Sequence, residues 1–295
     1  MSDSDDAAAT ARRLWRLLEP IHAVTYFSPE PLAALRAAGY RGFWMGYFAG
    51  RAAPLGRASA ELTHAVFYNF ASEHVRRAIP DAWDLAAPEA ALAARLDGSV
   101  AALRRHLGTG PAGVDPVVER AAEVATRAAA AAPLEGRPLF AANRALPVPA
   151  EPLARLWHAA TLLREHRGDG HVAALVAAGI GGRESHVLHA LATGTPADVY
   201  ALARRLGPEE WAAIRADFAA RGLVGDAGHL SAAGRELKER VEAQTDRAAA
   251  TAYAGLDEAE VEQLAGDLRP IAAAVVAAGE IPARSPMGLD LDEIG

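Results

Sequence analysis

Two stretches of this sequence decide the expected fold: Leu32-Ala-Ala-Leu-Arg-Ala-Ala-Gly39-Tyr-Arg-Gly42 and Val172-Ala-Ala-Leu-Val-Ala-Ala-Gly179-Ile-Gly-Gly182. His22-Ala-Val-Thr precedes the first, and His158-Ala-Ala-Thr precedes the second. The shift is 136 residues at the histidines and 140 at the glycines, so the second copy holds four extra residues. The glycines weigh most because an alanine bias does not produce them. The match predicts an internal duplication whose halves pack about a pseudo-two-fold axis and enclose a crevice.

Alanine-rich segments with helical periodicity occupy most of the chain, and strand signals are scarce. The expected fold class is all-α with a short β-wing, built as two winged-helix-like modules. We predict an N-terminal half over 11–149, a C-terminal half over 150–289, and flexible tails at 1–10 and 290–295. The predicted helices are 8–23, 29–38, 41–52, 59–78, 87–107, 115–132, 150–166, 170–178, 182–193, 196–206, 208–221, 231–253 and 257–278.

The composition excludes several classes of protein. The 295 residues are 51% hydrophobic with a net charge of −7, which rules out global disorder and argues against a general nucleic-acid coat. The absence of cysteine excludes disulfides, thiol nucleophiles and zinc–thiolate sites. No apolar run reaches the roughly 18 residues that span a bilayer. Met1 to Thr10 is acidic and unlike a secretory signal, so we expect a cytoplasmic protein without a membrane partner.

The familiar nucleotide and hydrolase loops are missing from the sequence. Gly108-Thr109-Gly110-Pro111-Ala112-Gly113 spells GxGxxG, but it follows a predicted helix instead of a strand, so we interpret it as a plain loop. Lys238 is the only lysine and lies in a late helix, which excludes a Walker A site. No GxSxG elbow is present.

A winged helix-turn-helix is predicted in the second half. Two helices that meet at Gly207-Pro208 are followed by a hairpin around Gly225-Asp226-Ala227-Gly228 and then by a long helix. The string Phe218-Ala-Ala-Arg221-Gly222-Leu223-Val224, with Gly228-His229-Leu230-Ser231-Ala-Ala-Gly234-Arg235 after it, resembles the MarR-type regulators.

Almost the whole chain resembles the SalK-like helix-turn-helix family of actinobacteria. The resemblance rests on Glu19-Pro-Ile-His22-Ala-Val-Thr-Tyr-Phe27, Gly42-Phe-Trp-Met-Gly-Tyr-Phe-Ala-Gly-Arg51, Arg164-Glu-His-Arg-Gly-Asp-Gly-His-Val-Ala-Ala-Leu175 and Pro286-Met-Gly-Leu289. This resemblance implies a fold and no settled activity, so it transfers no catalytic residues.

The charges of the predicted recognition helix disfavour DNA as a partner. Contacts to phosphate need Lys and Arg on the surface that faces the groove. Helix 208–221 holds three acidic residues, Glu209, Glu210 and Asp217, against Arg215 and Arg221. The predicted wing adds Asp226. The alternative to a DNA-binding domain is a scaffold inherited from a regulator.

The densest polar run of the chain, Arg164 to His171, allows two interpretations. His166, His171, Glu165 and Asp169 could act as acid, base or orienting groups, with Asp169 capping the next helix. His158 lies seven residues before Glu165 and shares its helix face. The same charges could instead form an ion-pair network that holds the two halves together. No HExxH or comparable spacing fixes a metal geometry, so we predict no metal site.

An aromatic stripe marks helix 41–52. Phe43, Trp44, Tyr47 and Phe48 line one helix face, and the second copy has no equivalent. Such a stripe is typical of a core, but its restriction to one copy also fits a pocket for a flat apolar ligand. The predicted ligand-binding residues are Phe43, Trp44, Tyr47, Phe48, Arg51, Phe67, Asn69 and His158. Arg51 and Asn69 would orient a polar group of the ligand.

The favoured function is therefore a small-molecule-binding winged-helix protein of regulator descent, with an apolar or aromatic ligand between the halves; whether it still regulates transcription is left open by the sequence. An enzyme that acts on such a metabolite through the polar run is the alternative, and a purely structural interaction module is a third. The sequence names no cofactor and fixes no oligomeric state.

Overall fold

The computed structural model describes residues 3–108, 115–225 and 228–282. Over these ranges the chain is all-α, with one antiparallel bridge between Val224 and Leu230 and short 3-10 turns at Ala53–Leu55 and Thr251–Tyr253. The helices are α1 (Asp3–Phe27), α2 (Pro29–Ala37), α3 (Gly42–Ala52), α4 (Ala60–Phe67), α5 (Ser72–Arg76), α6 (Ala82–Leu85), α7 (Pro88–Leu107), α8 (Pro116–Ala131), α9 (Pro138–Arg144), α10 (Pro152–Ala177), α11 (Gly182–Thr193), α12 (Ala197–Arg204), α13 (Pro208–Ala220), α14 (Ala232–Ala250) and α15 (Glu258–Ala277).

Six long helices form the central bundle and its hydrophobic core. α1 and α10 contact each other, and both also contact α7 and α14, while α8 packs on α10 and α15 packs on α1. Ala121, Ala125 and Ala128 lie on one face of α8 and are at most 1% exposed. These small side chains let α8 approach α10 closely, which explains why an alanine-rich sequence can still build a dense core.

Two smaller cores flank the bundle. One lies under α2 to α6 and is built from aromatic residues such as Phe48, Phe67 and Phe70. The other lies under α11 to α14 and is built around Tyr200 and Phe218. The chain thus carries one helical subdomain before α7 and one before α14, each packed against the shared bundle.

The two matched glycines end their helices in the same way. The Tyr40 N–H donates to Leu35 O at 3.2 Å, and the Ile180 N–H donates to Leu175 O at 3.0 Å. Gly39 and Gly179 both have positive φ, which only glycine adopts easily, and the residue after each is buried. This local likeness supports the duplication, which itself stays a prediction, as does the division into halves.

Several predicted boundaries need correction. The first helix begins at Asp3, so most of the predicted tail 1–10 is helical. Helix 59–78 is broken into α4 and α5, and α6 and α9 were not predicted. The hairpin is reduced to a single bridge. The GxGxxG loop after Gly108, Asp226 in the wing, the tail 290–295 and the Pro286-Met-Gly-Leu289 stretch fall outside the described residues.

The polar run of the second half was predicted to separate helices 150–166 and 170–178. Instead α10 is one continuous helix from Pro152 to Ala177. A Cβ at Gly170 would lie 2.8 Å from Nη1 of Arg137, which donates to His166 O. The glycine is there for close packing, and no turn is needed.

No helix within the described ranges is both long and apolar enough to cross a bilayer.

Candidate ligand-binding site

A cleft opens between α1, α2, α3, α7 and α10; its free cavity volume is about 20 Å³, and the space between its atoms amounts to about 390 Å³ when the open solvent at its mouth is included. Four aromatic side chains and a pair of leucines form its walls, and buried polar side chains, among them His22 and Thr25, form its floor. Phe43, 42% exposed, is the outermost ring, and Trp157, 1% exposed, lies at the buried end. The lining residues are His22, Thr25, Tyr26, Leu32, Leu35, Phe43, Gly46, Tyr47, Gly50, Arg51, Arg95, Trp157 and Glu165. An apolar cleft with a few buried polar groups is the usual form of a small-molecule site.

Glu165 ties the pocket to the central bundle through a buried ion-pair network. Its carboxylate accepts from Nε and Nη2 of Arg51, at 3.2 and 3.1 Å, and from Nη1 of Arg164 at 2.8 Å. Arg164 Nε also donates to Glu19 at 3.3 Å. Burial alone would raise the pKa of Glu165, but the charges of Arg51 and Arg164 hold it well below its ordinary value. Glu165 is therefore a fixed carboxylate and not a proton donor.

His22 is a neutral part of the pocket floor. Its Nδ1 lies 2.9 Å from the Thr161 hydroxyl, which already donates to Trp157 O, so Nδ1 carries the proton. Its Nε2 then accepts from the Tyr26 hydroxyl at 2.9 Å. Burial and the nearby Arg164 lower the pKa of His22 well below its usual value. The ring orients the Tyr26 hydroxyl, and both of its nitrogens are engaged in hydrogen bonds within the protein.

The predicted aromatic stripe divides between the pocket and the core. Phe43, Tyr47 and Arg51 line the pocket. Trp44 and Phe48 pack on the other side, where both approach the His74 ring, with centroids 4.4 and 5.3 Å away. This division arises because residues on adjacent positions of a helix point about 100° apart, so one helix face cannot hold all four rings.

Three further predicted ligand residues lie away from the pocket lining. Phe67 is in the aromatic core at 3% exposure, stacked on Phe48 and under the Arg51 guanidinium. The main-chain oxygen of Asn69 accepts from Nε2 of His186 at 3.0 Å. His158 is buried against the bundle, its Nε2 has no hydrogen-bond partner, and burial lowers its pKa to about 4.

The predicted catalytic group does not assemble in one cleft. Only Glu165 lines this pocket, since the other three point from α10 towards different neighbours. The His166 ring packs on Phe140 with 5.0 Å between centroids, and burial lowers its pKa to about 3. His171 Nδ1 donates to the Thr245 hydroxyl at 2.9 Å, because that hydroxyl donates to Val241 O.

Asp169 caps a different helix from the one predicted. Its carboxylate accepts from the Phe140 N–H at 2.9 Å and thus caps α9, which packs against α10. Burial raises the pKa of Asp169 to about 7. No group of three His, Asp or Glu side chains suited to a metal ion occurs among the described residues.

α12 and α13 form a helix-turn-helix that is closed by the Val224–Leu230 bridge. α13 buries only Phe218, so its outer face is open to solvent. The arginines around it are engaged inside the domain. Arg183 binds Glu210 at 2.8 Å, Arg221 binds Asp217 at 3.2 Å, and Arg215 donates to Gly228 O. Glu210 and Asp217 are thus neutralised by arginines, and Glu209 is the carboxylate of α13 without an ion pair among the described residues.

This geometry agrees with the comparison to known families, in which the model of a helix-turn-helix family matches residues 11–282. The chain belongs to this helix-turn-helix family. No curated protein and no solved structure matches the chain. The family match does not test the resemblance to the SalK-like family or to the MarR-type regulators, and both stay predictions.

The helix-turn-helix of this family member is joined to the aromatic core beside the pocket. The Arg204 guanidinium, at the end of α12, lies 4.4 Å from the centre of the Phe70 ring. The Tyr68 hydroxyl donates to Ile180 O, just before α11. Tyr68 itself has a φ of 51°, and its carbonyl oxygen lies against Gly182 so closely that no side chain fits there. The turn at 68–70 is therefore fixed against the first helix of the second subdomain.

Sequence reasoning missed the polar floor and one buried arginine. Thr25 and Tyr26 stand in the quoted His22 motif, but nothing in their spacing indicates a pocket. Arg95 did leave a signal, since it lies on the face of α7 that also holds Ala91, Gly98 and Ala102. A charged residue on such an apolar face is uncommon and marks a site that needs explanation.

Proposed function

We propose that the protein binds a small aromatic molecule in the pocket between α1, α2, α3, α7 and α10. One observation supports this above all. The pocket combines aromatic walls at Tyr26, Tyr47 and Trp157 with buried polar groups in a single cleft. Because the free volume of the cleft is about 20 Å³, a flat ligand would displace the Tyr47 ring as it enters and stack on the aromatic walls, while the leucines of α2 would exclude water.

The helix-turn-helix is the part of the protein that would respond to this ligand. Tyr47 lines the pocket and packs on Phe70 with 5.5 Å between centroids, and Phe70 in turn carries Arg204 of α12. A ligand that displaces the Tyr47 ring would therefore press on a contact of the helix-turn-helix. These two contacts, from Tyr47 to Phe70 and from Phe70 to Arg204, support the proposal that the protein is a ligand sensor of regulator descent.

DNA is the partner expected of a helix-turn-helix family, but the charges of α13 disfavour DNA binding. Two of its three carboxylates neutralise Arg183 and Arg221, so these arginines offer phosphate little net positive charge. We therefore place ligand binding first, with DNA contact weak and strongly dependent on salt. Fluorescence anisotropy with a 30-bp duplex at 50 to 200 mM salt measures this. Affinity of about 10⁻⁸ M or tighter at physiological salt, as in specific complexes, would contradict the ranking.

Calorimetric titration tests the pocket itself. The probes are 2-naphthol, 2-naphthoate and 2-naphthamide, which share one ring system and differ in charge. Leu32→Trp fills the pocket from α2, and Leu62→Trp is its matched control, because Leu62 is 45% exposed and is not among the lining residues. We expect at least one probe to bind the wild type and the control alike, and to bind the Leu32→Trp variant about tenfold more weakly.

The proposal fails if none of the three probes binds the wild type. It also fails if Leu32→Trp binds a probe as well as the wild type does, because that probe would then occupy another place. Thermal unfolding of both tryptophan variants establishes that each is folded before its titration is compared.

A further inference from the structure

The charges around the pocket do not balance. Three guanidiniums, of Arg51, Arg95 and Arg164, face two carboxylates, of Glu19 and Glu165. Arg51 shares Glu165 with Arg164, and Arg164 also reaches Glu19, so both carboxylates are already bound by cations. The surplus positive charge is that of Arg95.

Arg95 is buried without an acidic partner. It is 5% exposed, and no carboxylate of the described residues lies within ion-pair distance of it. Its Nη1 donates to Gly50 O at 3.0 Å, and its Nη2 donates to Asn143 Oδ1 at 2.8 Å. A guanidinium has five N–H donors, so these neutral acceptors leave part of the fork unused. Burial lowers its pKa to about 10, and it remains charged at neutral pH.

A buried cation without a counter-ion is costly unless something anionic completes the site. Arg95 lines the pocket, and its guanidinium lies 5.7 Å from the centre of the Trp157 ring. The polar groups of His22 and Thr25 in the lining are satisfied internally. His22 binds Thr161 and Tyr26, and Thr25 accepts from Trp157 Nε1 at 3.0 Å and pairs with Ser99.

We propose that the ligand of this pocket is a planar aromatic monoanion, and that its carboxylate or equivalent acidic group pairs with Arg95. The inference rests on the proposed function and names the chemical class of its ligand. The ring would stack on Tyr47, because the Trp157 ring is already covered by His22 and Arg95, and the anion would reach the inner end of the pocket. A planar acid suits a guanidinium because the two can form parallel N–H···O bonds.

The test compares 2-naphthoate with 2-naphthamide, which have the same ring and nearly the same shape but differ by one charge. We expect the wild type to bind the acid about tenfold or more tightly than the amide. Arg95→Met removes the charge and keeps much of the volume, so it should lower the preference to less than about twofold while it leaves the amide affinity nearly unchanged. Arg144→Met is the matched control, because Arg144 is not among the lining residues and donates to the carbonyls of Ala129 and Ala130, and it should keep the preference.

Equal affinity for acid and amide in the wild type would overturn this inference and leave the proposed function standing. A preference for the acid that survives in a folded Arg95→Met variant would overturn the role of Arg95. If Arg95→Met does not fold, Arg95→Lys retains the charge without the planar fork and should keep only part of the preference. An unchanged preference in the lysine variant would then count against the fork. If none of the three compounds, 2-naphthoate, 2-naphthamide and 2-naphthol, binds the wild type, the proposed function itself is contradicted.

Discussion

Replacing Glu165 by glutamine tests whether the polar run on α10 is a structural network. The carboxylate is 2% exposed and accepts three hydrogen bonds from two guanidiniums. Glutamine keeps the volume but presents an NH₂ group to one of those donors, and it removes the charge. Arg164 retains Glu19, whereas Arg51 loses its carboxylate. Because removing one partner of a buried pair leaves the other charge uncompensated, we expect a loss of about 3–4 kcal/mol of unfolding free energy.

Equilibrium unfolding in urea, followed by tryptophan fluorescence, measures this loss. Glu236→Gln is the matched control, because Glu236 is 68% exposed and its contact with Arg240 is 3.9 Å long. That variant should unfold at nearly the wild-type urea concentration. If Glu165→Gln were as stable as Glu236→Gln, the network would not hold the two parts of the chain together. Glu165 would then have to be explained by a role in binding.

Three further predictions concern packing and pH. Gly182→Ala should lose about 2 kcal/mol or more in urea unfolding, because its methyl group would collide with the Tyr68 carbonyl, while Gly207→Ala, with nothing within 4 Å, should unfold like the wild type. Burial lowers the pKa of seven of the ten histidines, that of His166 to about 3. These histidines are protonated in the unfolded chain before they are protonated in the folded protein, so the protein should lose stability as the pH falls from about 6.5 to 4. A urea midpoint that is the same at pH 7.5 and pH 5 would refute this. Burial raises the pKa of the Asp169 carboxyl to about 7 and so penalises its ionised form in the folded protein. The Asp169→Asn variant should therefore gain unfolding free energy relative to wild type as the pH rises from 5 to 7, by about 1 kcal/mol per pH unit. Parallel pH profiles of unfolding free energy for the two proteins would contradict this.

The sequence was a good guide to helices whose ends are set by local chemistry. α11 was predicted to the residue, because glycines at 181, 182 and 194 mark both of its ends. α10 was split in error because Gly168 and Gly170 look like a turn. Gly170 instead makes room for Arg137, which arrives from another part of the chain. A contact of that kind has no local signature.

The site was only partly visible in the sequence for the same reason. The stripe on α3 identified Phe43, Tyr47 and Arg51, which do line the pocket. Which of the four rings would point inwards depended on where α10 and α5 pack, and periodicity does not contain that information. The polar run on α10 appeared to be one cluster because its members are adjacent in sequence. On a continuous helix, neighbours diverge, and Glu165, His166 and Asp169 serve three separate contacts.

The two subdomains differ in one respect that bears on any DNA this chain contacts. α5 has five residues, whereas α13 has thirteen and is open to solvent along its outer face. Regulators that insert two equal helices into successive major grooves select inverted repeats, whose half-sites lie one turn of the duplex apart. One copy of this chain offers a single long helix of this kind. Any two-fold symmetry of a DNA site would therefore have to come from a second copy of the chain and not from its two subdomains.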